Sequence, residues 1–257
     1  MVALADEVVF VTGASSGIGL ACARAFARER ARLLLAARRL ERLVAFEREL
    51  LDLGSPAVRS AELDVRDERA VSATLAGLPD DWKGVEVLVN NAGLSRGMAP
   101  LQEGRLLDWD EMIDTNVKGL LHVDRAVVPL MVARGRGTVV HIGSIAGRQT
   151  YPGGTVYCAT KSAVRALTDG LRLDLLGTGV RVTSVDPGLV DTEFSEVRFR
   201  GDAARASAVY RGLRPLSAED VAEVVVFAAT RPPHVDLAEV LLLPTDQASA
   251  IHLHRRG

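Results

Sequence analysis

Several residue types and features are scarce in this sequence, and each scarcity excludes a class of protein. Only two of the 257 residues are cysteines, Cys22 and Cys158, and their spacing is not that of metal ligands. We expect both to be reduced packing residues in a cytoplasmic protein. No apolar run is long enough to span a bilayer, and no basic stretch with a long apolar core marks the N-terminus, so neither a membrane segment nor a signal peptide is predicted. A formal net charge of −2 gives no electrostatic reason to expect nucleic acid or an anionic membrane as a partner.

Asparagine and lysine are also rare, which draws attention to the few that are present. The chain has 28 arginines but three lysines, and its three asparagines are Asn90, Asn91 and Asn116. We interpret this bias as codon bias, to which selection against heat-labile residues would add. Chance survival would explain these residues too, but their positions, described below, make the asparagines and Lys161 candidates for function.

Strand and helix patterns alternate along the whole chain. Apolar, β-branched runs predict strands at 7–13, 31–37, 57–65, 85–93, 137–144, 180–188 and 238–244. Helical patterns occupy 17–30, 40–53, 67–77, 108–133, 156–177 and 218–229. Most strands carry little polar alternation, as expected where both faces of a parallel sheet are buried. The prediction is an α/β fold, a Rossmann-type doubly wound parallel sheet of about seven strands flanked by helices, in a single domain over residues 1–257.

A glycine-rich turn follows the first predicted strand. Gly13, Gly17 and Gly19 would permit a tight turn and let the backbone approach a pyrophosphate at the N-terminus of the first helix. A flexible Gly/Ser turn is the alternative, and the spacing Gly-x-x-x-Gly-x-Gly differs from the commoner dinucleotide fingerprint. The position of the turn directly after a buried strand favours nucleotide binding.

The end of the second predicted strand bears on the choice between NAD and NADP. Rossmann units that bind NAD place an acidic residue there to bind the ribose 2′-hydroxyl, whereas here Ala37 is followed by Arg38 and Arg39. Guanidinium groups match a 2′-phosphate. An ordinary basic helix start is the alternative, with Arg42 and Arg48 continuing a solvated face. The missing carboxylate favours NADP as the cofactor.

Seven motifs in order resemble those of the short-chain dehydrogenase/reductase superfamily, in its single-domain branch. They are TGASSGIG (12–19), LDV (63–65), NNAG (90–93), Asn116, Ser144, Tyr157-x-x-x-Lys161 and DPGLVDT (186–192). The resemblance covers nearly the whole chain. The segment GLVDTEFSEVRFRGD and the tail RPPHVDLAEVLLLPTDQASAIHLHRR also resemble NADP-dependent 3-hydroxy acid dehydrogenases, which act on serine, allo-threonine and related β-hydroxy acids.

The resemblance implies a catalytic set of Asn116, Ser144, Tyr157 and Lys161. Tyr157 is implied to be the general acid/base of a hydride transfer. A free phenol titrates near pH ~10, so Lys161, one helical turn away, and the positive ring of oxidised nicotinamide would have to lower its pKa. Ser144 would hydrogen-bond the reacting oxygen. Asn116 would hold a water that links Lys161 to solvent, satisfy helix backbone groups, or do both.

The resemblance also assigns a set of residues to the cofactor. These are Gly13, Ser15, Ser16, Gly17, Ile18, Gly19, Arg38, Arg39, Asp64, Val65, Asn91, Ala92, Gly93, Tyr157, Lys161, Pro187, Gly188, Val190 and Thr192. Among them, the segment from Pro187 to Thr192 is implied to hold the nicotinamide carboxamide.

The substrate is less well defined by the sequence. A 3-hydroxy acid carries a carboxylate, which calls for a cation in a closed pocket, and Arg148, Arg198 and Arg200 flank the predicted pocket. Taken singly, each of the three is expected to be a surface arginine. A 3-oxoacyl-[acyl-carrier-protein] reductase or general carbonyl reductase shares every catalytic motif, and a non-catalytic NADP sensor is a further alternative that the intact catalytic set argues against. No metal is expected, because His252 and His254 lack acidic or cysteine companions.

Two long helical patterns, at 108–133 and 156–177, carry more apolar residues than one helix face needs in order to cover the sheet. They include Leu120, Leu121, Val127, Val128, Leu167, Leu171 and Leu175. The resemblance implies that these helices pair across a two-fold axis, with a second axis completing a homotetramer. The tail, residues 248–257, carries Ile251 and Leu253 and is expected to dock near the pocket of a neighbouring subunit rather than to fray.

Overall fold

The computed structural model describes residues 3–256, and its centre is a parallel β-sheet. The seven strands in this range are β1 Val8–Thr12, β2 Arg32–Ala37, β3 Val58–Glu62, β4 Val85–Asn90, β5 Gly137–Ile142, β6 Val180–Pro187 and β7 Glu239–Leu242. Their order in the sheet is β3-β2-β1-β4-β5-β6-β7, with every neighbouring pair parallel. The order reverses between β1 and β4, which is where doubly wound sheets open a ligand crevice. The predicted fold class is confirmed; Met1, Val2 and Gly257, at the ends of the predicted domain and tail, lie outside the described residues.

Helices cover both faces of the sheet. They are α1 Gly17–Arg28, α2 Leu40–Asp52, α3 Glu68–Ala76, α4 Leu106–Ile113, α5 Leu120–Arg134, α6 Thr155–Asp174, α7 Phe194–Arg198, α8 Ala203–Tyr210 and α9 Ala218–Ala229. Helices α1, α2 and α9 pack on one face, and α3, α5 and α6 pack on the other. None of the helices formed by residues 3–256 combines the length and apolar character needed to cross a membrane.

The strand β1 shows why the strands read as continuous apolar runs. Val9 and Val11 point into the core beneath α1, α2 and α9, whereas Phe10 points into the opposite core, and all three are fully buried. Successive side chains of a strand alternate between faces, so a strand covered on both sides needs apolar residues at every position. Truncating Phe10 to alanine would cost about 3–5 kcal/mol of folding free energy.

The predicted helix at 108–133 is interrupted, which corrects that prediction. Helix α4 ends at Ile113, a π-helical turn occupies Asp114–Gly119, and α5 begins at Leu120. A π-turn inserts an extra residue into the helical repeat and occurs frequently at functional sites. Here it contains Asn116, whose side chain bonds outside the helix.

Two short helices, α7 and α8, lie between β6 and α9, where no element was predicted. They have five and eight residues, and Asp202 caps α8 by accepting a hydrogen bond from the Arg205 amide. Helices this short depend on tertiary contacts rather than on their own propensity. Together they form a lobe over the carboxyl ends of the strands, and α7 carries residues of the candidate site.

Candidate active site

The glycine-rich turn joins β1 to α1. An added Cβ at Gly19 would stand 2.4 Å from the Gly13 carbonyl oxygen, and Gly13 itself has a φ of +65°, so both positions require glycine. Ser16, the N-cap residue of α1, makes no side-chain capping bond within the described chain. The first amides of α1 therefore face the crevice without a side-chain cap, and a helix N-terminus in this state fits an anion such as a pyrophosphate.

Thr12 and Asn91 fix the floor of this crevice. Asn91 Nδ2 donates to the carbonyl oxygens of Thr12 and Gly13 at 2.9 and 3.2 Å. Thr12 Oγ1 in turn accepts from the amides of Asn91 and Ala92 at 3.0 and 3.1 Å. These bonds tie the end of β1 to the end of β4, so the glycine-rich turn and the NNAG segment form one surface. The sequence did not single out Thr12, although it is the first residue of the glycine-rich motif.

The arginines after β2 lie beside the glycine-rich turn. Arg39 Nη2 donates to the hydroxyls of Ser15 and Ser16 at 3.2 and 3.3 Å, while Arg38 is exposed. Arg42 is partly exposed and pairs with Glu193 at 2.7 Å, so it does more than continue the solvated face of the alternative interpretation. The cationic groups suited to a 2′-phosphate are therefore present at this edge of the crevice.

Asp64 and Val65, assigned to the adenine end of the cofactor, have other contacts as well. The carboxylate of Asp64 accepts from the Arg66 guanidinium, and that hydrogen bond holds the pKa of Asp64 below its usual value. Val65 is buried, its carbonyl oxygen lies 2.9 Å from His122 Nδ1, and its side chain packs against Gly119 in the π-turn. These contacts fix the segment of Asp64 and Val65 where it leaves β3, at the edge of the sheet.

A cavity of about 420 Å³ lies at the carboxyl ends of β1, β4, β5 and β6. The predicted site residues in its wall are Gly13, Ser16, Gly17, Ile18, Asn91, Ala92, Gly93, Ser144, Tyr157, Lys161, Pro187, Gly188, Val190 and Thr192. Seven others lie outside the wall, namely Ser15, Gly19, Arg38, Arg39, Asp64, Val65 and Asn116. The strand order brings four loops that are far apart in sequence to this one opening.

Ser144, Tyr157 and Lys161 meet at one end of the cavity. Ser144 follows β5, and its Oγ accepts from the Ala146 amide at 3.1 Å, which fixes the turn that carries it. Tyr157 and Lys161 lie one turn apart on α6 and are both buried. Lys161 Nζ donates to the Ile142 carbonyl oxygen, the last of β5, at 2.8 Å. The lysine is thereby fastened to the strand that leads to Ser144.

Burial dominates the ionisation of these groups. It raises the pKa of Tyr157, as does the nearby Tyr151, while Arg198 and the Ser144 side chain act in the opposite direction. Burial also lowers the pKa of Lys161 to about 8, against the opposing charge of Asp186. The protein's own groups therefore leave the phenol pKa raised, opposite to the direction predicted from Lys161. That prediction also relied on the positive charge of the nicotinamide ring, which belongs to the cofactor and not to the protein.

Asn116 is fully engaged in hydrogen bonds. Its Oδ1 accepts from the Leu94 amide at 2.8 Å, and its Nδ2 donates to the Leu94 carbonyl oxygen at 2.8 Å and to Thr160 Oγ1 at 3.0 Å. Asn116 therefore bonds backbone groups of the loop after β4 and joins that loop to α6, rather than bonding the backbone of a helix. A Cβ built on Gly93 would lie 3.2 Å from Asn116 Oδ1 and 3.7 Å from Lys161 Nζ, so both side chains border the same glycine.

Arg148 lies behind the site and is held by two carboxylates. Its Nε and Nη2 donate to Asp186 at 2.9 and 2.8 Å, and Nη2 also pairs with Glu239 at 2.8 Å. Ser184 Oγ donates to the other Asp186 oxygen at 2.6 Å. Arg148 is thus neither a surface residue nor available to a substrate carboxylate, and it instead fixes the turn after Ser144 to β6.

Arg198, the last residue of α7, occupies the cavity wall, so the surface location expected for it is wrong. It is 9% exposed, and its guanidinium carbon lies 5.4 Å from the ring centre of Tyr157 and 5.1 Å from that of Phe194. Its Nη2 donates to the Tyr151 hydroxyl at 3.1 Å, but its Nε has no hydrogen-bond partner among the described residues. Arg200, by contrast, pairs with Asp108 and faces outward.

The tail folds back onto its own chain rather than fraying, and its predicted docking on a neighbouring subunit stays a prediction. Gln247 and Leu253 form an antiparallel bridge, and Ala250 donates its amide to Gln149 Oε1 at 2.9 Å. Gln247, Leu253 and Arg255 reach the cavity wall, whereas Ile251 is exposed. The tail thus forms part of the rim of the pocket within one subunit.

Sequence analysis missed several residues in the cavity wall. They include Tyr151, Phe194, Tyr210, Gln247 and Arg255. Tyr151 had a local signal, since it lies six residues before Tyr157 in a Pro/Gly-rich stretch. The others lie on the unpredicted lobe or the tail, and no local pattern aims them at the pocket.

Comparison with known proteins agrees with this geometry. The family described as short chain dehydrogenase matches residues 7–202. A sulfoacetaldehyde reductase of Chromohalobacter salexigens is 48% identical over 244 residues, covering 95% of this chain and 96% of its own. An NADP-dependent 3-hydroxy acid dehydrogenase of Salmonella typhi is 46% identical over 250 residues, covering 96% and 99%. Among solved structures, the closed form of a serine dehydrogenase complexed with NADP+ matches with a TM-score of 0.92 and 44% identity, covering 97% of this chain and all of the other.

The chain belongs to the short-chain dehydrogenase family. It is an oxidoreductase that acts on CH–OH groups and their carbonyl counterparts.

Proposed function

We propose that the protein is an NADP-dependent dehydrogenase that interconverts small 3-hydroxy acids and their 3-oxo counterparts. The cofactor is NADP, as in the relatives named above, and it supplies the hydride acceptor or donor at its nicotinamide ring. The residues present fit it: the glycine-rich turn with an uncapped helix N-terminus suits the pyrophosphate, and Arg39 lies where a 2′-phosphate needs a cation.

In the oxidation direction, Tyr157 would act as the phenolate that the positive nicotinamide ring helps to stabilise: its Oη takes the proton of the substrate hydroxyl, and the C–H electron pair leaves as hydride for the cofactor. Ser144 Oγ hydrogen-bonds the same oxygen and orients it. Lys161 lies one turn from Tyr157 on α6 with its pKa lowered by burial to about 8, and by the family resemblance it would link the tyrosine proton to solvent. Asn116 holds the loop at Leu94 and α6 in register, which keeps Lys161 beside Gly93.

The single observation that supports a hydroxy acid as substrate is Arg198. An arginine that is nine-tenths buried is costly unless an anion pairs with it, and none of the described carboxylates forms an ion pair with this one. In a 3-hydroxy acid the hydroxyl and carboxylate oxygens are about 4 Å apart, short enough to contact Tyr157 and Arg198 together. A carrier-bound 3-oxoacyl thioester has no charge at that distance and leaves Arg198 unpaired. The same arginine would accept a sulfonate on the carbon next to a carbonyl, which matches the name of a relative.

A substrate panel tests this proposal. With NADP, we expect turnover of serine, 3-hydroxyisobutyrate, 3-hydroxypropionate and 2-hydroxyethanesulfonate, and little turnover of methyl 3-hydroxypropionate or, with NADPH, of acetoacetyl-CoA. Arg198→Met should lower kcat/KM for the acids roughly 10- to 100-fold, as expected for a lost hydrogen bond to a charged group. The kcat/KM for the methyl ester should change little, because the ester has no carboxylate to pair with Arg198.

Two controls separate the alternatives. Arg205→Met removes an exposed arginine from the neighbouring helix and should leave every rate unchanged. Tyr157→Phe should lower kcat at least about 10²-fold while the Kd for NADPH is kept, which distinguishes an enzyme from an NADP sensor. Equal losses on the acid and its ester in Arg198→Met would refute the role of Arg198, and preferred turnover of acetoacetyl-CoA would favour the 3-oxoacyl reductase.

We also propose a homotetramer in the cytoplasm. Exposed apolar side chains lie on the long helices, with Leu121 on α5 and Leu173 on α6 at 42% and 76% exposure. Four other apolar residues of these helical patterns are buried and belong to the face that covers the sheet, namely Leu120, Val127, Val128 and Leu175. The free, buried Cys22 and Cys158 support a reducing compartment. Burial raises the pKa of both thiols, and that of Cys22 to about 12, which supports packing roles.

A further inference from the structure

Glu193 bridges the two sides of the crevice. It directly precedes α7, on the lobe that carries Arg198, and its carboxylate reaches the start of α2 on the other side. Its two oxygens lie 2.7 and 2.9 Å from Arg42 Nη1, and one of them lies 3.4 Å from both Nη1 and Nη2 of Arg39. Neither the family resemblance nor the sequence pattern assigned a role to Glu193 or to Arg42.

The distances show that the two arginines are not equivalent partners. Contacts of 2.7 and 2.9 Å are those of a strong charge-assisted hydrogen bond, whereas 3.4 Å is at the weak limit. Arg39 also donates to the hydroxyls of Ser15 and Ser16 in the glycine-rich turn. Arg42 is therefore the anchor of Glu193, and Arg39 is the partner that can be exchanged.

The bridge fixes a segment that forms part of the substrate pocket. Thr192, next to Glu193, packs against Gly17 in the glycine-rich turn, where an added Cβ would stand 3.3 Å from it. Phe194, on the other side, places its ring centre 5.6 Å from that of Tyr157. At the far end of α7 the Arg198 carbonyl oxygen accepts from the Gly97 amide at 3.0 Å. Helix α7 is therefore held at both ends, and Glu193 is its only described ion pair to the cofactor side of the crevice.

The charges leave room for a phosphate beside the bridge. Arg39 and Arg42 face the single carboxylate of Glu193, an excess of one positive charge at this contact, and the exposed Arg38 precedes Arg39 in the chain. Burial alone would raise the pKa of Glu193, but hydrogen bonding and attraction from Arg42 and Arg39 lower it, so the group is an anion at neutral pH. An incoming 2′-phosphate and Glu193 would compete for the same guanidinium of Arg39.

We propose that Glu193 holds the α7–α8 lobe over the pocket through Arg42, and that Arg39 passes from Glu193 to the cofactor's 2′-phosphate. The holding of the lobe stands on the structure alone, whereas the exchange of Arg39 rests on the proposed NADP site. Glu193 is on this account a residue that sets cofactor specificity as well as one that positions Arg198, since it weakens the phosphate contact while it closes the pocket.

The first measurement is hydrogen exchange on the full-length protein with no nucleotide added. Glu193→Gln and Arg42→Met should each speed amide exchange across residues 190–213 by at least about 5-fold, because each variant removes the same ion pair. Glu196→Gln is the matched control, since Glu196 is an exposed glutamate on α7 with no ion pair among the described residues, and its exchange should equal that of the wild type. Unchanged exchange in Glu193→Gln would overturn the holding of the lobe.

The second measurement is the Kd of adenosine 2′,5′-bisphosphate, a probe that carries the 2′-phosphate and has no nicotinamide. Glu193→Gln should bind it about 3- to 10-fold more tightly, because a nearby like charge is removed, with 5′-AMP unaffected. Arg42→Met should bind it more weakly than the wild type, because Glu193 then pairs with Arg39 alone. Affinities that are unchanged or move the other way would overturn the exchange of Arg39. Wild-type protein that binds the bisphosphate no better than 5′-AMP would contradict the proposed cofactor and with it the exchange, while the hydrogen-exchange result would still decide the holding of the lobe.

Discussion

Lys161 makes a prediction about stability that can be separated from its role in turnover. Burial lowers its pKa from 10.5 to about 8, so the folded protein holds this proton less tightly than the unfolded chain does. Between those two pH values the unfolded state binds more protons, and the free energy of unfolding must rise with pH. Below pH 8 both states carry the proton and the folded protein bears the full cost of a buried ammonium. Above pH 10.5 neither carries it and the cost is gone.

The magnitude follows from the width of that window. Each pH unit is worth at most ~1.4 kcal/mol, so the whole window corresponds to a cost on the order of 3 kcal/mol at pH 7. Lys161→Met keeps the length and apolar stem of the side chain and removes the charge. It also leaves the Ile142 carbonyl oxygen without its donor, a loss of about 1 kcal/mol that does not vary with pH. The variant should therefore gain stability relative to the wild type at pH 7 and lose most of that advantage by pH 10.

Urea denaturation at pH 7, 8, 9 and 10, at one fixed protein concentration, measures the difference directly. Lys118→Met is the control. Lys118 lies on the surface, and its hydrogen bond to Asp114 raises its pKa, so its contribution is lost rather than gained as pH rises. A difference between Lys161→Met and the wild type that stays flat from pH 7 to 10, or that grows with pH, would refute the argument that Lys161 is a buried charge of lowered pKa.

Two further predictions concern the ends of the crevice. Ala37→Asp combined with Arg39→Leu should lower the kcat/KM ratio of NADPH to NADH at least about 10-fold, because a carboxylate accepts from a 2′-hydroxyl but repels a 2′-phosphate. A wild type that already prefers NADH in competition would contradict the assignment of this edge. Deleting residues 248–257 should raise the KM for the hydroxy acid, because Leu253 and Arg255 leave the cavity wall. Light scattering before and after the deletion tests the predicted docking on a neighbouring subunit: dissociation would support it, and an unchanged assembly would contradict it.

The parts of the fold that sequence predicted well are those set by local pattern. The inner strands were found because a strand buried on both faces must be apolar throughout, as at 33–37 in β2, whereas the predicted edge strands β3 and β7 are only partly buried. The glycine-rich turn was found because backbone geometry there requires glycine, which is visible in the sequence. The order of the strands then follows from right-handed crossovers and brings the loops to one edge. The class of the site was therefore predictable before any contact was known.

The parts that sequence did not predict depend on contacts between distant residues. Helix α7 is held at its start by Glu193, which pairs with α2, and at its end by Arg198, whose carbonyl oxygen accepts from the Gly97 amide. The π-turn at Asp114–Gly119 accompanies bonds from Asn116 to Leu94 and Thr160. Neither feature has a repeating pattern of its own, because its stability comes from partners 20 or more positions away.

Arginine shows most clearly what a sequence of this composition conceals. With 28 arginines in the chain, residue type alone does not distinguish an arginine at the site from one on the surface. Arg148, Arg42 and Arg198 all flank the crevice, and their neighbours in sequence are equally unremarkable. The structure distinguishes them by their carboxylates, since Arg148 has two, Arg42 has one, and Arg198 has none among the residues described. A partly buried cation whose partners lie within the chain fixes the fold, as Arg148 does. Arg198 is nine-tenths buried, packs against aromatic rings and pairs with none of the described carboxylates, and this observation supports the proposal that the substrate is an acid.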